Sequence, residues 1–124
     1  MNGWSAHQLD AIGSADELLM TAPRSAVSPA EAVPIWVVRV GDALYVRSFR
    51  GASARWYRRV TAAGGAHITA GGVMGDVAVV AADPSHTPAI DSEYRRKYGR
   101  YGAAYIDPMT APAALETTLE LRPR

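Results

Sequence analysis

Apolar and polar positions alternate in short runs along most of this chain, and glycine and proline turns separate the runs. Ser5-Ala6-His7-Gln8 has the form of a capping box, in which the serine oxygen covers a free helix amide and Gln8 reaches back. Leu9 and Ile12 share one face. The spacing predicts a short amphipathic helix over about residues 6 to 12, with Trp4 stapled to Leu9 and Gly13 as a left-handed cap. Glu17 to Ala22 reads as a strand, and Pro23 to Ala32, rich in Pro, Ser and Ala, as a loop. Pro34 has no amide to donate and is expected to open the next strand. Ile35 to Val40 carries the strongest strand signal. Gly41-Asp42 separates it from Leu44 to Phe49, so the two are predicted to pair as an antiparallel hairpin.

Gly51-Ala52-Ser53 breaks this pattern. Ser53 is placed to cap a helix with Trp56, Tyr57 and Val60 on one face, and Gly64-Gly65 stops it. Ala66 to Ala70 and Val73 to Ala82 predict a second hairpin about Gly71-Gly72, with Gly75 marking a bulge or bend in its second arm. Asp83 to Thr87 is turn-like. Ile90, Tyr94, Tyr98 and Tyr101 then recur at helical intervals, predicting a helix over about residues 88 to 101. Pro108 and Pro112 interrupt the segment after that helix, and Glu116 to Leu121 alternates as a half-buried strand, with Thr117, Leu119 and Leu121 on one face. About six strands in hairpins with three short helices favour a closed or nearly closed antiparallel barrel, an α+β fold that is mainly β. Without repeats or low-complexity linkers, residues 1–124 read as one domain.

Composition narrows the function classes. The chain has 124 residues, 48% apolar and 20% charged, and its net charge of +1 gives no general attraction to nucleic acid or to membranes. No apolar run approaches the roughly 20 residues a bilayer requires, and Met1 to Ser14 does not read as a secretory signal. A cytoplasmic protein is expected. There is no cysteine to act as nucleophile or bridge, the serines lack a nucleophile-elbow context, and His7, His67 and His86 show no metal-ligand spacing, so no metal is expected. Gly71 to Gly75 leads into a strand, whereas a phosphate-binding glycine motif follows a strand and opens a helix, so it reads as a turn.

The charge is unevenly placed. Twelve of the thirteen cations are arginine, and five of them lie between Arg47 and Arg59, a stretch with no acid. A strand ending in Arg47-Ser48, a glycine turn at Gly51 and a helix entered near Arg55 would gather guanidinium, hydroxyl and helix amides into an anion cradle. Trp36, Trp56 and Tyr57 add aromatic faces. The same residues also suit a plain structural role, with the aromatics in the core and the arginines solvated.

Pro34-Ile35-Trp36-Val37-Val38, Leu44-Tyr45-Val46-Arg47-Ser48, Gly51 and Arg55-Trp56-Tyr57-Arg58-Arg59 resemble a family of small bacterial domains of unknown function in the FMN-binding split-barrel superfamily. The likeness continues through Gly71-Gly72, Ile90-Asp91, Tyr94 to Tyr98 and Thr118 to Leu121. A looser resemblance reaches the deazaflavin-dependent nitroreductases of that superfamily. It differs where Arg50 precedes one glycine rather than a pair, where Ala54-Arg55 replaces a proline step, and at Arg58-Arg59. The resemblance implies a split barrel, an FMN or deazaflavin cofactor or none, and cofactor-binding positions Arg47, Ser48, Gly51, Arg55 and Trp56, with Trp36 beside the ring. It also implies a homodimer, because split-barrel relatives build the site between subunits. Two other readings stand beside a flavin- or deazaflavin-binding oxidoreductase-like protein. One is a cofactor-free barrel that binds, cyclises or isomerises a small organic, biosynthetic-type substrate through Tyr45, Tyr98 or Tyr105. The other is a non-catalytic structural or regulatory partner. On the cradle reading, replacing Arg47 or Arg55 with alanine weakens binding and leaves the fold intact.

Overall fold

The computed structural model describes residues 3–23 and 31–124. Its elements are α1 (Ala6–Ser14), β1 (Leu18–Thr21), β2 (Ala32–Ile35), β3 (Val37–Val40), β4 (Ala43–Val46), α2 (Arg55–Ala63), β5 (Gly65–Ala70), β6 (Val73–Ala81), α3 (Thr87–Tyr98), α4 (Ala103–Met109), α5 (Pro112–Leu115) and β7 (Leu119–Pro123). All seven strands join one antiparallel sheet in the order β2-β1-β5-β6-β7-β4-β3. This places β2 and β3 at opposite edges, although Trp36 alone separates them in sequence. Laid flat, such a sheet would be about 29 Å from edge to edge at about 4.8 Å per strand. Ile35 and Val37 can be no more than about 7 Å apart. The sheet must therefore curl until its edges meet at Trp36, giving a nearly closed barrel.

Alternation along the strands sorts side chains into two cores. Val37, Leu44 and Val46 point inward with Leu18, Met20, Ile35, Ile68, Val77 and Leu121. Val38 and Tyr45 point outward, where Ile90, Tyr94 and Tyr98 of α3 cover them. With both faces buried, β3 reads in sequence as an unbroken apolar run. Leu9 and Ile12 of α1 and Val60 of α2 join the inner core, partly buried Trp56 and Tyr57 pack against it, and the Trp4 indole donates to the Leu121 carbonyl at 2.9 Å.

The expected hairpins form in register, Val37 opposite Val46 and Ala70 opposite Val73. Ser5 and Gln8 make the reciprocal capping box at 3.1 and 2.9 Å. Several local expectations are corrected. Gly13 lies inside α1, not at its cap; a Cβ there would sit 3.0 Å from Cβ of Arg39, so its smallness admits a neighbouring strand. Pro34 lies within β2 rather than opening the next strand, which is tolerated because β2 is an edge. The 35–40 strand is broken at Trp36. Ser53 does not cap α2; it sits in a 3-10 turn, Gly51–Ser53, and its hydroxyl donates to the Arg50 carbonyl, leaving Ala54 as the helix boundary. Pairing of β5 with β6 runs unbroken past Gly75, so no bulge occurs there. The 88–101 helix stops at Tyr98 and continues as a 3-10 turn, Pro108 falls inside α4, and β7 begins only at Leu119. The sheet has seven strands instead of six, and the described residues hold five α-helices instead of three. The Pro23 to Ala32 loop falls largely outside the described residues, and Ala32 already belongs to β2.

Candidate functional site

β4 ends at Val46 and its next two residues are buried, Arg47 under α3, which is where the site is built. Arg47 is 1% exposed and Ser48 fully buried. Arg47 Nη1 donates to Asp91 of α3 at 2.5 Å and to the Met109 carbonyl at 3.0 Å, and Nε donates to Thr118 Oγ1 at 2.9 Å. Its guanidinium carbon lies 5.2 Å from the centroid of the Tyr94 ring. Burial without a hydrogen-bond partner raises the Tyr94 hydroxyl far above the usual phenol range. Arg47 is thus clamped on three sides. The Ser48 amide donates to Thr117 Oγ1 at 2.9 Å, and its carbonyl accepts the Gly51 amide at 3.0 Å, closing the turn.

Two further polar atoms are left over. Among the described residues, Nη2 of Arg47 and Oγ of Ser48 are, like the Tyr94 hydroxyl, buried with no partner, and Arg47 and Ser48 line a cavity of about 670 Å3. Buried polar groups are rarely left unmatched, because each loses water without gaining a hydrogen bond. Ser53, Ala54 and Arg55 line the same cavity, so α2 begins at its wall, and no side chain among the described residues caps the start of that helix. Arg50 and Arg55 are exposed, and Arg59 reaches Glu31 at 3.7 Å. Trp36, Phe49, Trp56 and Tyr105 supply aromatic surface, and Met20, Val33, Pro34 and Ile35 an apolar floor.

Five of the six positions proposed from sequence, Trp36, Arg47, Ser48, Arg55 and Trp56, therefore share this cavity. Gly51 does not line it. Its φ of +71° makes the turn that presents Ser48, and a Cβ there would meet the Ala113 carbonyl at 3.5 Å. Of the three candidate tyrosine donors, only Tyr105 lines the cavity. Tyr45 contacts His86 Nδ1 at 3.1 Å on the outer face, and the Tyr98 hydroxyl is taken up by the backbone of Val37 and Asp16. Asp91, Thr117 and Thr118, which hold the two buried residues Arg47 and Ser48, are not among the sites expected from sequence. Nothing in their spacing marks them, since the contacts close over 44 to 71 residues of chain. Among the described residues, no three His, Asp or Glu side chains converge as metal ligands.

Behind Trp36, Lys97 donates to the Val37 carbonyl at 2.6 Å and lies 4.9 Å from the Tyr98 ring centroid. Burial pulls its pKa down to about 8 from the ordinary 10.5, against the opposing pull of Asp16 and Glu93. The unfolded chain then holds the extra proton between those values, so this group's penalty is full below about pH 8 and is relieved as pH rises. Lys97→Met removes the effect. The melting temperature of the variant minus that of wild type should fall from pH 7 to about pH 9.5; a difference that does not move with pH would contradict this placement of Lys97.

The barrel, with its cavity opening where the sheet edges meet, has the split-barrel fold. The chain belongs to the bacterial family described as "Uncharacterized protein conserved in bacteria" (DUF2255), whose profile matches residues 8–121. No curated protein sequence matches it. Solved structures show the same fold at low identity. The protein Atu2129 of Agrobacterium tumefaciens, of unknown function, superposes with a TM-score of 0.61 at 9% identity over 92% of this chain, which spans only 50% of that protein. A candidate pyridoxamine 5'-phosphate oxidase from Listeria innocua gives 0.60 at 11% identity, covering 94% and 88% of the two chains. An F420 reductase gives 0.57 at 13% identity, covering 94% and 90%. No helix among the described residues is long and apolar enough to cross a membrane.

Proposed function

We propose that this protein is a flavin- or deazaflavin-binding, oxidoreductase-like protein acting on a small organic molecule, with the cofactor's phosphate held at the junction of Ser48 and the start of α2. The observation that carries the reading is the pair of unmatched buried donors, Arg47 Nη2 and Ser48 Oγ, on residues that line the same cavity as the uncapped start of α2. A helix N-terminus with nearby hydroxyl and guanidinium donors suits a phosphate, and the donors here fit one. The volume of about 670 Å3 lies within the range of roughly 300 to 1,000 Å3 found for small-molecule sites. A related solved structure is an F420 reductase, which supports a deazaflavin as one candidate.

Bound there, such a cofactor supplies hydride chemistry. The chain's own part is positional. Ser48 and the α2 amides grip the phosphate, Trp36 and Trp56 offer flat surfaces to the ring, and the apolar floor keeps water away. Arg50 and Arg55, exposed at the wall, would draw an anion in. A homodimer in the cytoplasm belongs to the same proposal, with the half-exposed ring of Phe49 facing a second subunit.

Ser48→Ala tests the cradle cleanly. The hydroxyl has no partner to lose, so the melting temperature should stay unchanged or rise slightly, while affinity for FMN or deazaflavin falls about tenfold for one lost hydrogen bond to a charged group. Fluorescence titration of wild type and variant reads the affinity, and a purified sample absorbing near roughly 450 or 420 nm would show retained flavin or deazaflavin. Equal affinity in both proteins, or no binding of either cofactor by wild type, would remove the phosphate cradle.

A further inference from the structure

A second cavity, about 410 Å3, adjoins the first and shares Glu17, Trp36 and Tyr105 with it; Asp16 and Tyr101 complete its lining. Its chemistry is opposite to that of the arginine end. Among the described residues no cation lines it, two carboxylates do, and the rest of the wall is three aromatic rings. The Tyr101 and Tyr105 ring centroids lie 5.6 and 6.3 Å from that of Trp36.

These walls are held before any ligand arrives. Trp36 stacks on buried Tyr98 with centroids 4.0 Å apart and planes 4° from parallel. The Tyr98 hydroxyl in turn accepts the Val37 amide and donates to the Asp16 carbonyl at 2.8 Å. Tyr101 is fixed by its own hydroxyl, which donates to Asp16 Oδ2 at 2.7 Å, and Arg100 pairs with the other oxygen of that carboxylate and lies 4.6 Å from the Tyr101 ring centroid, so that ring already carries a cation and serves as a wall. Asp16 is therefore occupied in positioning. Glu17 is different: among the described residues it has no hydrogen bond and no ion pair. A free carboxylate at the edge of fixed aromatic faces is the arrangement that attracts an organic cation, through ring quadrupoles and charge together.

We infer that this second cavity binds an organic ammonium group, primary or methylated, by the Trp36 and Tyr105 rings and the Glu17 carboxylate. The inference stands on the geometry of this cavity; only the view that the ammonium compound is the substrate, lying beside a redox cofactor, rests on the proposed function.

The probes are choline and its uncharged isostere 3,3-dimethylbutanol, titrated into flavin-free protein and followed by the indole N–H resonance of Trp36, identified as the one missing in Trp36→Phe. Choline should shift it with millimolar or tighter affinity, and the alcohol should bind at least about threefold more weakly, the margin that a cation's attraction to exposed rings supplies. Glu17→Gln should weaken choline roughly three- to tenfold and leave the alcohol unchanged. Tyr105→Ala should weaken choline, and Tyr105→Phe should keep it. Equal affinity for the two probes, no effect of Glu17→Gln, or no shift with choline would each overturn the inference. Choline binding in a protein that takes up neither FMN nor deazaflavin would leave it standing while removing the proposed function.

Discussion

Arg47→Ala is expected to lower the melting temperature by about 10 to 12 °C, not simply to weaken ligand binding. The truncation removes three hydrogen bonds and leaves the Asp91 carboxylate, paired at 2.5 Å in the native chain, facing a protein interior. Breaking a buried ion pair from one side costs about 3 to 5 kcal/mol. Asp91 keeps 17% of its side chain exposed, and the emptied space opens toward the cavity, so water can partly reach it and the cost falls near 3 kcal/mol. For a chain of 124 residues, each kcal/mol corresponds to about 4 °C. The paired change Arg47→Met with Asp91→Leu removes both charges and should recover at least half of the loss, since an apolar pair of similar volume replaces a buried ion pair at little cost. A melt of Arg47→Ala within about 3 °C of wild type would mean that the clamp contributes little. Arg55, exposed at the start of α2, has no such part in holding the fold, and its replacement is the plain test of the charge that the arginine cluster supplies.

The contrast between Arg47 and Arg55 shows where sequence reading reaches and where it stops. Both are arginines in one acid-free run, and pattern alone treats them alike. What separates them is a strand that ends one residue before Arg47 and a helix, α3, that brings Asp91 across 44 residues of chain. The hairpins are legible because their signals are local: Gly41-Asp42 and Gly71-Gly72 sit between runs of β-formers, and a tight turn fixes the register. The cavity is legible in part for a similar reason, since Arg47, Ser48, Arg55 and Trp56 are neighbours in sequence. Trp36 joins them through the family resemblance. Its structural cause, a one-residue corner joining opposite edges of the sheet, cannot be read from a segment whose composition is that of a continuous strand. Glu17 and Glu31 come from a strand boundary and a Pro-rich stretch with no motif to mark them. Ser53 shows the reverse error. Its type and position fit an N-cap, yet the 3-10 turn that ends on it moves the helix start by one residue and commits its hydroxyl to the Arg50 carbonyl.

The two glycines of the second hairpin give the other large expected effect, and they should not behave alike. Gly71 has φ of +56° and Gly72 of +82°, so both occupy the left-handed region and both would be strained by a side chain. Around Gly72 there is open space. At Gly71 a Cβ would lie 2.1 Å from the Ala11 carbonyl oxygen and 2.7 Å from its carbon, which are backbone atoms of α1 and cannot rotate away. Gly72→Ala should therefore cost about 1 kcal/mol, the conformational part alone. Gly71→Ala carries that cost plus overpacking of about 1 to 3 kcal/mol, because either α1 must lift from the barrel end or the turn must deform. Lifting α1 would draw Leu9 and Ile12, both essentially buried, out of the inner core. The expected total is about 2 to 4 kcal/mol, or roughly 8 to 16 °C in melting temperature against about 4 °C for the neighbouring variant. Parallel thermal melts of the two single variants measure this, and they hold the chemistry of the substitution constant. Equal shifts would mean that α1 yields easily, so that the contact between the hairpin turn and the first helix does not help to hold the barrel end shut.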